Sequence, residues 1–342
     1  MSANQPFVSV ITPCYNGADF IGECIESVLK QTYENFEYIL VNNCSKDNTL
    51  QIMHDYASRD SRIRVYDNTE FFDVMVNHNH AMGFMSPDSA WCKCVSADDW
   101  IFPDCLRQMV EFGVEHPNVG IICTYSIEGS RILFQGLDYH RSVVDGREIC
   151  RETLLGRQPY VLGAPTSLLY RSDLIRAANG EFFPWAKGNP HADTSAVYQA
   201  LQHSDFGFVH QILTYTRVHA ASETSQSFAF GRINRALLAD MKRFGHIYLS
   251  ADEYKEYLQI ATDKYYDWLV AALMENSFDQ KFLDRQREEL ASSDIELDTS
   301  ELARAGMRRG VELILNPVIT MRKIQAARRR RGRVVARGAN LT

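Results

Sequence analysis

The chain has 342 residues, of which 45% are hydrophobic and 23% charged, and its formal net charge is −7. This composition excludes collagen-like, wholly disordered and disulfide-dense chains, and the length predicts roughly two domains. No apolar run reaches the roughly 18–20 residues that a membrane-spanning helix needs, and no secretory signal begins the sequence. The net acidity argues against a nucleic-acid partner, and we expect the eight cysteines to be reduced thiols of a cytoplasmic protein.

Two hydrophobic periodicities alternate over the first 125 residues. In chain order they predict a strand at 7–11, a helix at 20–29, a strand at 36–41, a helix at 47–56, strands at 63–66 and 91–95, a helix at 103–115 and a strand at 119–124. This order predicts an α/β fold with a mostly parallel sheet and helices on both faces. Such sheets bind ligands at the carboxyl ends of their strands, which are here residues 12–16, 42–47 and 96–99.

The pattern after residue 125 is less regular and then becomes helical. It predicts a short apolar piece at 166–170, a loop at 179–190, a helix at 193–202 and a strand at 208–215. After residue 231, Ser250 and Glu253 have the spacing of a helix capping box, and an apolar helical stripe follows them. We therefore expect one domain over residues 1–230 and a helical region over residues 231–342, the second packing on the first or forming a homodimer.

Two groups of carboxylates lie where chemistry is expected. Asp98 and Asp99 directly follow the strand at 91–95, where paired carboxylates can hold a hard divalent cation; a solvated turn before the next helix is the simpler alternative. Asp193 opens a predicted helix. It can serve as a general base or as a helix N-cap, and its position alone favours the cap.

A third group ends the strand at 208–215. Tyr215, Arg217 and His219 are alternate residues, so an extended chain places them on one side. An arginine and a histidine on one face suit an anionic ligand or a metal ion. An ordinary half-exposed edge strand remains the alternative.

Three segments closely resemble the start of family 2 glycosyltransferases, which have the GT-A fold. They are residues 8–16 (VSVITPCYN), 26–37 (ESVLKQTYENFE) and 45–49 (SKDNT). The Asp98–Asp99 pair, Asp193 and the Tyr-x-Arg-x-His at 215–219 follow in the order of that family, so the resemblance covers about residues 6–225. It implies a GT-A catalytic domain with a helical C-terminal extension, which transfers a sugar from a nucleotide-sugar to an acceptor hydroxyl with inversion.

The resemblance also implies roles for individual residues. Pro13 and Tyr15 are expected to line the nucleobase pocket, with Tyr15 stacking on the base, and Asn43 to read the base edge. The donor is expected to be a UDP-sugar.

For the reacting groups, the resemblance implies that Asp98 and Asp99 hold Mn²⁺ or Mg²⁺, with Asp98 also approaching the nucleotide. His219 is expected to be a further metal contact and Asp193 the general base. Acceptor selectivity is expected to lie in residues 71–85 and 179–190. The acceptor is expected to be a glycan or a lipid-linked glycan, as in polysaccharide biosynthesis.

The chain departs from the family pattern at three positions. Asn42 and Ser96 replace acidic residues, and His78 replaces an arginine. These changes leave the expected metal pair and base in place, but they are the reason to consider an alternative, a non-catalytic nucleotide-binding or scaffold protein on the same fold. A nucleotidyltransferase is disfavoured because no glycine-rich phosphate loop is present near the N-terminus. The chain also lacks the Gln-x-x-Arg-Trp motif and membrane helices of processive synthases, which indicates single transfer.

The C-terminal end differs sharply in charge from the rest. Residues 313–342 contain eight basic residues and no acidic one, which leaves a net charge of −15 on residues 1–312. Residues 317–337 have the pattern of a basic amphipathic helix, which would bind an anionic membrane surface. We therefore expect a cytoplasmic protein. Its basic end is either a solvated tail, which the pattern favours slightly, or a segment that makes the protein peripheral on the inner face of the membrane.

Overall fold

The computed structural model describes residues 5–189, 191–218, 232–275 and 279–315. These residues form two compact units. The first comprises the chain up to Lys187 together with Ala192–Val218, and the second contains Gly188–His191 and the chain after Val218. The domain boundary predicted at residue 230 lies outside the described residues.

The first unit is built around one sheet. Its strands are β1 (Val8–Cys14), β2 (Phe36–Asn42), β3 (Ile63–Asp67), β4 (Trp91–Cys94), β5 (Trp100–Ile101), β6 (Val119–Glu128), β7 (Arg131–Leu133), β8 (Val143–Val144), β9 (Leu168–Arg171) and β10 (Asp205–Thr216). Its helices are α1 (Ile21–Leu29), α2 (Thr49–Ala57), α3 (Val74–Met82), α4 (Cys105–Glu115), α5 (Gly146–Leu154), α6 (Ser172–Ala177) and α7 (Ala192–Ala200).

The strand order places the carboxyl ends of β1, β2 and β4 at the same edge of the sheet. The order is β3-β2-β1-β4-β9-β6-β10-β5, in which β1 pairs in parallel with both β2 and β4. The strand β9 is antiparallel to β4 and β6, whereas β10 is parallel to β6. The predicted α/β fold with a mostly parallel, helix-flanked sheet is confirmed.

Burial explains why β1 and β2 are continuous apolar runs. Every residue of both strands is buried, as expected for parallel strands covered on both faces. The helix α1 packs against them through the fully buried Ile21, Cys24, Ile25 and Val28, which are spaced as one helical face. Burying side chains of this size contributes roughly 1.5–3 kcal/mol each, and this packing fixes the carboxyl ends of the strands.

The helix α3 was not predicted from the sequence. Its residues show little amphipathic pattern, and it buries the polar Asn77 and His78. Tertiary contacts hold it: the Asn79 side-chain amide donates to the Phe183 carbonyl at 2.9 Å and accepts from the Phe183 amide at 2.8 Å. The two segments predicted to govern acceptor selectivity are therefore bonded to each other.

The second unit is helical, as predicted. It contains α8 (Arg232–Tyr248), α9 (Ala251–Glu275), α10 (Gln280–Ala291) and α11 (Thr299–Leu315), around a core that includes Leu238, Tyr265, Leu269 and Leu290. The predicted capping box is confirmed, because the Ser250 amide donates to the Glu253 carboxylate at 3.1 Å and the Glu253 amide to the Ser250 hydroxyl at 3.4 Å. Among the described helices, none has the length and hydropathy to cross a membrane.

Candidate active site

The nucleobase residues predicted from the sequence meet at the ends of β1 and β2. Pro13 pairs with Val41, and the Asn43 amide donates to the Cys14 carbonyl at 2.8 Å. Tyr15 follows β1 and is 45% exposed. Its ring contacts the edge of Phe71, which is 56% exposed, at a centroid distance of 4.9 Å. The structure therefore brings Pro13, Tyr15 and Asn43 together and adds Phe71 to them.

Asn43 is buried, and its side chain holds the segment after β3. Its amide nitrogen donates to the Phe72 carbonyl at 2.7 Å, and its oxygen accepts from the Phe72 amide at 3.0 Å and from the Asn68 side chain at 3.1 Å. The neighbouring Asn42 donates instead to the Asp67 carboxylate at 2.7 Å. These side chains connect the end of β2 with the end of β3 and the residues that follow it.

Asp98 and Asp99 lie in the turn after β4, but their environments differ. Asp98 is half-buried, whereas Asp99 is only 6% exposed. One Asp99 carboxylate oxygen accepts from the Thr166 hydroxyl at 2.6 Å and the other from the Arg217 amide at 2.9 Å. Burial, with a contribution from Asp98, raises the pKa of Asp99 to about 7. Asp98 is thus the more accessible carboxylate, and Asp99 connects the turn to β10.

Arg217 packs against this turn. Its guanidinium donates to the Asp98 carbonyl at 2.9 Å and to the Glu23 carboxylate at 2.5 Å, and lies over the rings of Phe20 and Trp100 at 4.7 and 5.1 Å. These contacts make it a support of the Asp98–Asp99 turn. His219, which the sequence placed beside it, lies outside the described residues.

Thr166 is a contact that sequence reasoning missed. Besides Asp99, its hydroxyl accepts from the Ser96 amide at 3.0 Å. Its carbonyl accepts at 2.5 Å from the ammonium of Lys93, which is fully buried, and burial lowers the pKa of Lys93. No feature of the sequence announces this link, because it depends on β9 lying antiparallel beside β4.

Asp193 is the second residue of α7, so the structure does not place it as the N-cap. Its carboxylate accepts from the Thr194 amide at 2.9 Å, and burial raises its pKa to about 6. The Tyr160 hydroxyl lies 2.9 Å from the Thr194 hydroxyl and donates to the Gly163 carbonyl at 2.9 Å. The start of α7 is thereby tied to the loop that leads into Thr166.

His78, which stands where the family pattern has an arginine, is buried. Its Nδ1 lies 2.8 Å from the Val74 carbonyl and its ring packs edge-on against Phe183. Burial lowers the pKa of His78, so the ring is neutral at physiological pH. It therefore supplies no cation to a phosphate in this conformation.

The donor set around Asp98 suits a divalent cation. Among the described residues, no three histidine, cysteine or acidic side chains converge as a complete protein site. Mg²⁺ at nucleotide sites needs fewer protein ligands, because it binds through one or two carboxylates together with substrate phosphates. The half-buried Asp98 carboxylate, beside the ends of parallel strands, fits that coordination.

Comparison with known proteins identifies part of the first unit. A model of glycosyl transferase family 2 matches residues 9–163. Residues 9–163 are a family 2 glycosyltransferase domain. Within this match lie Pro13, Tyr15, Asn43, Asp98 and Asp99. Asp193 and the basic residues 317–337 lie beyond the matched residues.

Individual glycosyltransferases are similar to parts of the chain. The uncharacterized glycosyltransferase EpsJ of Bacillus subtilis is 53% identical over 106 residues, which are 31% of this chain and 30% of EpsJ. The chain spans 30–56% of the length of four such relatives from B. subtilis. The similarity to these relatives is therefore partial on both sides.

Solved structures extend the likeness in fold. TarS (residues 1–349) of S. aureus in complex with UDP-GlcNAc has a TM-score of 0.60 at 18% identity, covering 84% of this chain and 80% of TarS. The mannosyltransferase PcManGT of Pyrobaculum calidifontis, in complex with GDP-Man and Mn²⁺, has a TM-score of 0.55 at 16% identity, covering 98% and 87%. At these identities the likeness shows the GT-A fold of the glycosyltransferase domain.

Proposed function

We propose that the protein is a metal-assisted, inverting glycosyltransferase that performs a single transfer from a nucleoside-diphosphate sugar to an acceptor hydroxyl. The observation that carries this proposal lies at the carboxyl ends of the strands of a family 2 domain. Thr166, which bonds Asp99, follows the loop that Tyr160 ties to the start of α7. These contacts support a site in which the Asp98–Asp99 turn serves donor activation and Asp193 serves acceptor activation.

On the donor side, Pro13, Tyr15 and Asn43 form the proposed base pocket, and Asp98 lies where the diphosphate would follow. Asp98, Asp99 and His219 form the proposed metal set, with Asp98 presenting its carboxylate and Asp99 fixing the turn. A bound Mn²⁺ or Mg²⁺ would neutralise the charge that develops on the leaving diphosphate. The turn is held by Arg217 and Thr166, and such preorganisation lowers the cost of reaching the transition state.

On the acceptor side, Asp193 is the proposed general base. A base must be ionised at the working pH and yet basic enough to take a hydroxyl proton. A carboxyl group whose pKa is raised to about 6 by burial meets both needs near neutral pH. With the base and the diphosphate on opposite sides of the anomeric carbon, a single displacement inverts its configuration without a covalent intermediate.

The first test is release of nucleoside diphosphate from a panel of UDP-, dTDP- and GDP-sugars with Mn²⁺ and hydroxyl acceptors. Because Asp193 acts only when ionised, kcat/KM is expected to rise with pH through about 6 and to level off above it. Activity that increases as the pH falls below 6 would contradict the role of Asp193. Nucleotide binding without turnover of any donor would favour the scaffold protein instead.

The identity of the donor and acceptor is also proposed. A UDP-sugar is the first donor to test, since TarS is solved with UDP-GlcNAc; the GDP-Man complex of PcManGT keeps GDP-sugars in the panel. We propose a glycan or lipid-linked glycan as the acceptor, in polysaccharide or glycoconjugate synthesis. We propose no nucleic-acid partner. We propose a homodimer through the helical region as the assembly of the enzyme, with no separate function.

We also propose that residues 317–337, which lie outside the described residues, bind an anionic membrane on its cytoplasmic side. Their sequence carries the excess of basic residues that such surfaces attract. The full chain is expected to float with vesicles that contain anionic lipid at low salt and to be released as salt rises. Replacing Arg328–Arg331 by serine is expected to abolish flotation, whereas the serine variant of Arg59, a basic residue on the other unit, should not. A full chain that stays unbound would contradict the proposal.

A further inference from the structure

The hydrogen-bonding capacity of Asn43 is almost used up inside the protein. An asparagine side chain offers two acceptor lone pairs and two N–H donors. Both lone pairs of Asn43 are taken, by the Phe72 amide and by Asn68, and one donor is taken by the Phe72 carbonyl. One N–H donor remains among the described contacts. Asn43 therefore offers no acceptor to a base.

The same contacts fix the position of Phe71. The Asn43 side chain accepts from the Phe72 amide at 3.0 Å and donates to the Phe72 carbonyl at 2.7 Å, and these two bonds fix the backbone next to Phe71. The Phe71 ring is held against Tyr15 at an interplanar angle of 68°. Phe71 is more than half exposed, and an exposed aromatic residue gains free energy when a ligand buries its ring.

We infer that Phe71 is a nucleotide-binding residue, which forms with Tyr15 an aromatic wall for the donor's base, and that Asn43 is the positioning residue that holds it there. The inference rests on the proposed function and adds a residue to its donor site. Stacking on aromatic rings tolerates any base, because every base has a π-face. The base is then held by its face more than by its edge.

This arrangement predicts weak discrimination between uracil and cytosine. The two bases have the same size, but uracil presents an N3–H donor where cytosine presents an N3 acceptor. A protein acceptor at this edge would distinguish them strongly, as sites built around a buried hydrogen bond do by about 10⁴-fold or more. The remaining N–H of Asn43 can be accepted by uracil O4 or by cytosine N3. UDP and CDP are therefore expected to bind with affinities that differ by less than about 10²-fold.

The experiment is calorimetric titration of UDP and CDP, with Mn²⁺, into the full chain and its variants. Loss of one stacked base contact, in F71A, is expected to weaken both nucleotides by about 5- to 150-fold. F71W keeps an aromatic face and is expected to restore binding. Y139A is the matched control, because Tyr139 is an exposed aromatic residue, 71% accessible, that packs on His210 away from these strand ends.

The role of Asn43 is tested by coupling. If Asn43 acts through Phe71, N43A weakens binding as F71A does, and the double variant loses little more than either single one. If N43A only destabilised the fold, its effect on nucleotide binding would instead add to that of F71A. F71W would then restore binding in the N43A background as fully as it does in the wild-type background.

Other outcomes of these titrations would overturn either this inference or the proposed function. Unchanged or tighter binding by F71A would refute the inference, as would a preference for UDP over CDP beyond about 10²-fold. If the wild-type chain binds no nucleotide while it remains folded, the proposed function itself fails. The two failures are distinguished by the wild-type titration alone.

Discussion

Replacing Asp193 with asparagine is expected to lower kcat by about 10²- to 10⁴-fold while nucleotide binding is unchanged. Asparagine keeps the shape of the side chain and can still accept from the Thr194 amide, so α7 should begin as before. It cannot take the proton of the acceptor hydroxyl, and general-base catalysis contributes about that factor. The measurements are single-turnover transfer for the rate and titration of UDP for the binding.

The chain offers a closely matched control for this substitution. Asp173 also lies in the first turn of a helix, and its carboxylate accepts from the amide of the next residue, Leu174, at 2.9 Å. It is exposed and paired with Arg171, and it has no part in the proposed site. D173N is therefore expected to retain transfer. If D193N turned over at the wild-type rate, the acceptor would be deprotonated by another group.

Much of the fold followed from the sequence because its strands are simple. β1 and β2 are buried at every position, so their apolar runs are continuous, and α1 repeats its apolar residues at helical spacing. The helix α3 escaped prediction because its stability comes from Asn79 and the distant Phe183. A contact between residues 104 positions apart leaves no periodic mark on either segment.

Some residues of the candidate site could likewise be predicted from the sequence, and others could not. Strand ends are local features, so residues such as Tyr15 and Asp98 could be named from the sequence. The sequence could not distinguish Asp98 from Asp99, because the difference comes from Thr166 and Arg217, which reach Asp99 from other strands. Phe71 also lacked a signal, because its place beside Tyr15 is set by Asn43 through the Phe72 backbone.

Replacing Asp98 with asparagine is expected to remove the effect of Mn²⁺ on UDP binding and to slow transfer by about 10²-fold or more. A neutral amide is a much poorer ligand for a hard divalent cation than a carboxylate. The cation contributes several kcal/mol at the leaving diphosphate, and each 1.4 kcal/mol or so is a factor of about ten in rate. UDP titrations with Mn²⁺ and with EDTA measure the metal-dependent part of binding directly.

Asparagine keeps the size of the Asp98 side chain, and the contact of residue 98 to Arg217 is expected to remain because it is made by the backbone carbonyl. D104N is the control and should keep the Mn²⁺ effect. Asp104 is the next carboxylate after Asp99, and it accepts hydrogen bonds from Arg107 and Thr32. D99A is expected to behave differently and lower Tm, because it removes the acceptor of the Arg217 amide and the nearer of the two acceptors of the buried Thr166 hydroxyl. The loss of a hydrogen bond to a charged group costs about 1.5–3 kcal/mol. If D98N kept the full Mn²⁺ effect and D99N lost it without unfolding, Asp99 would be the main ligand, and the turn would have to open before a metal binds.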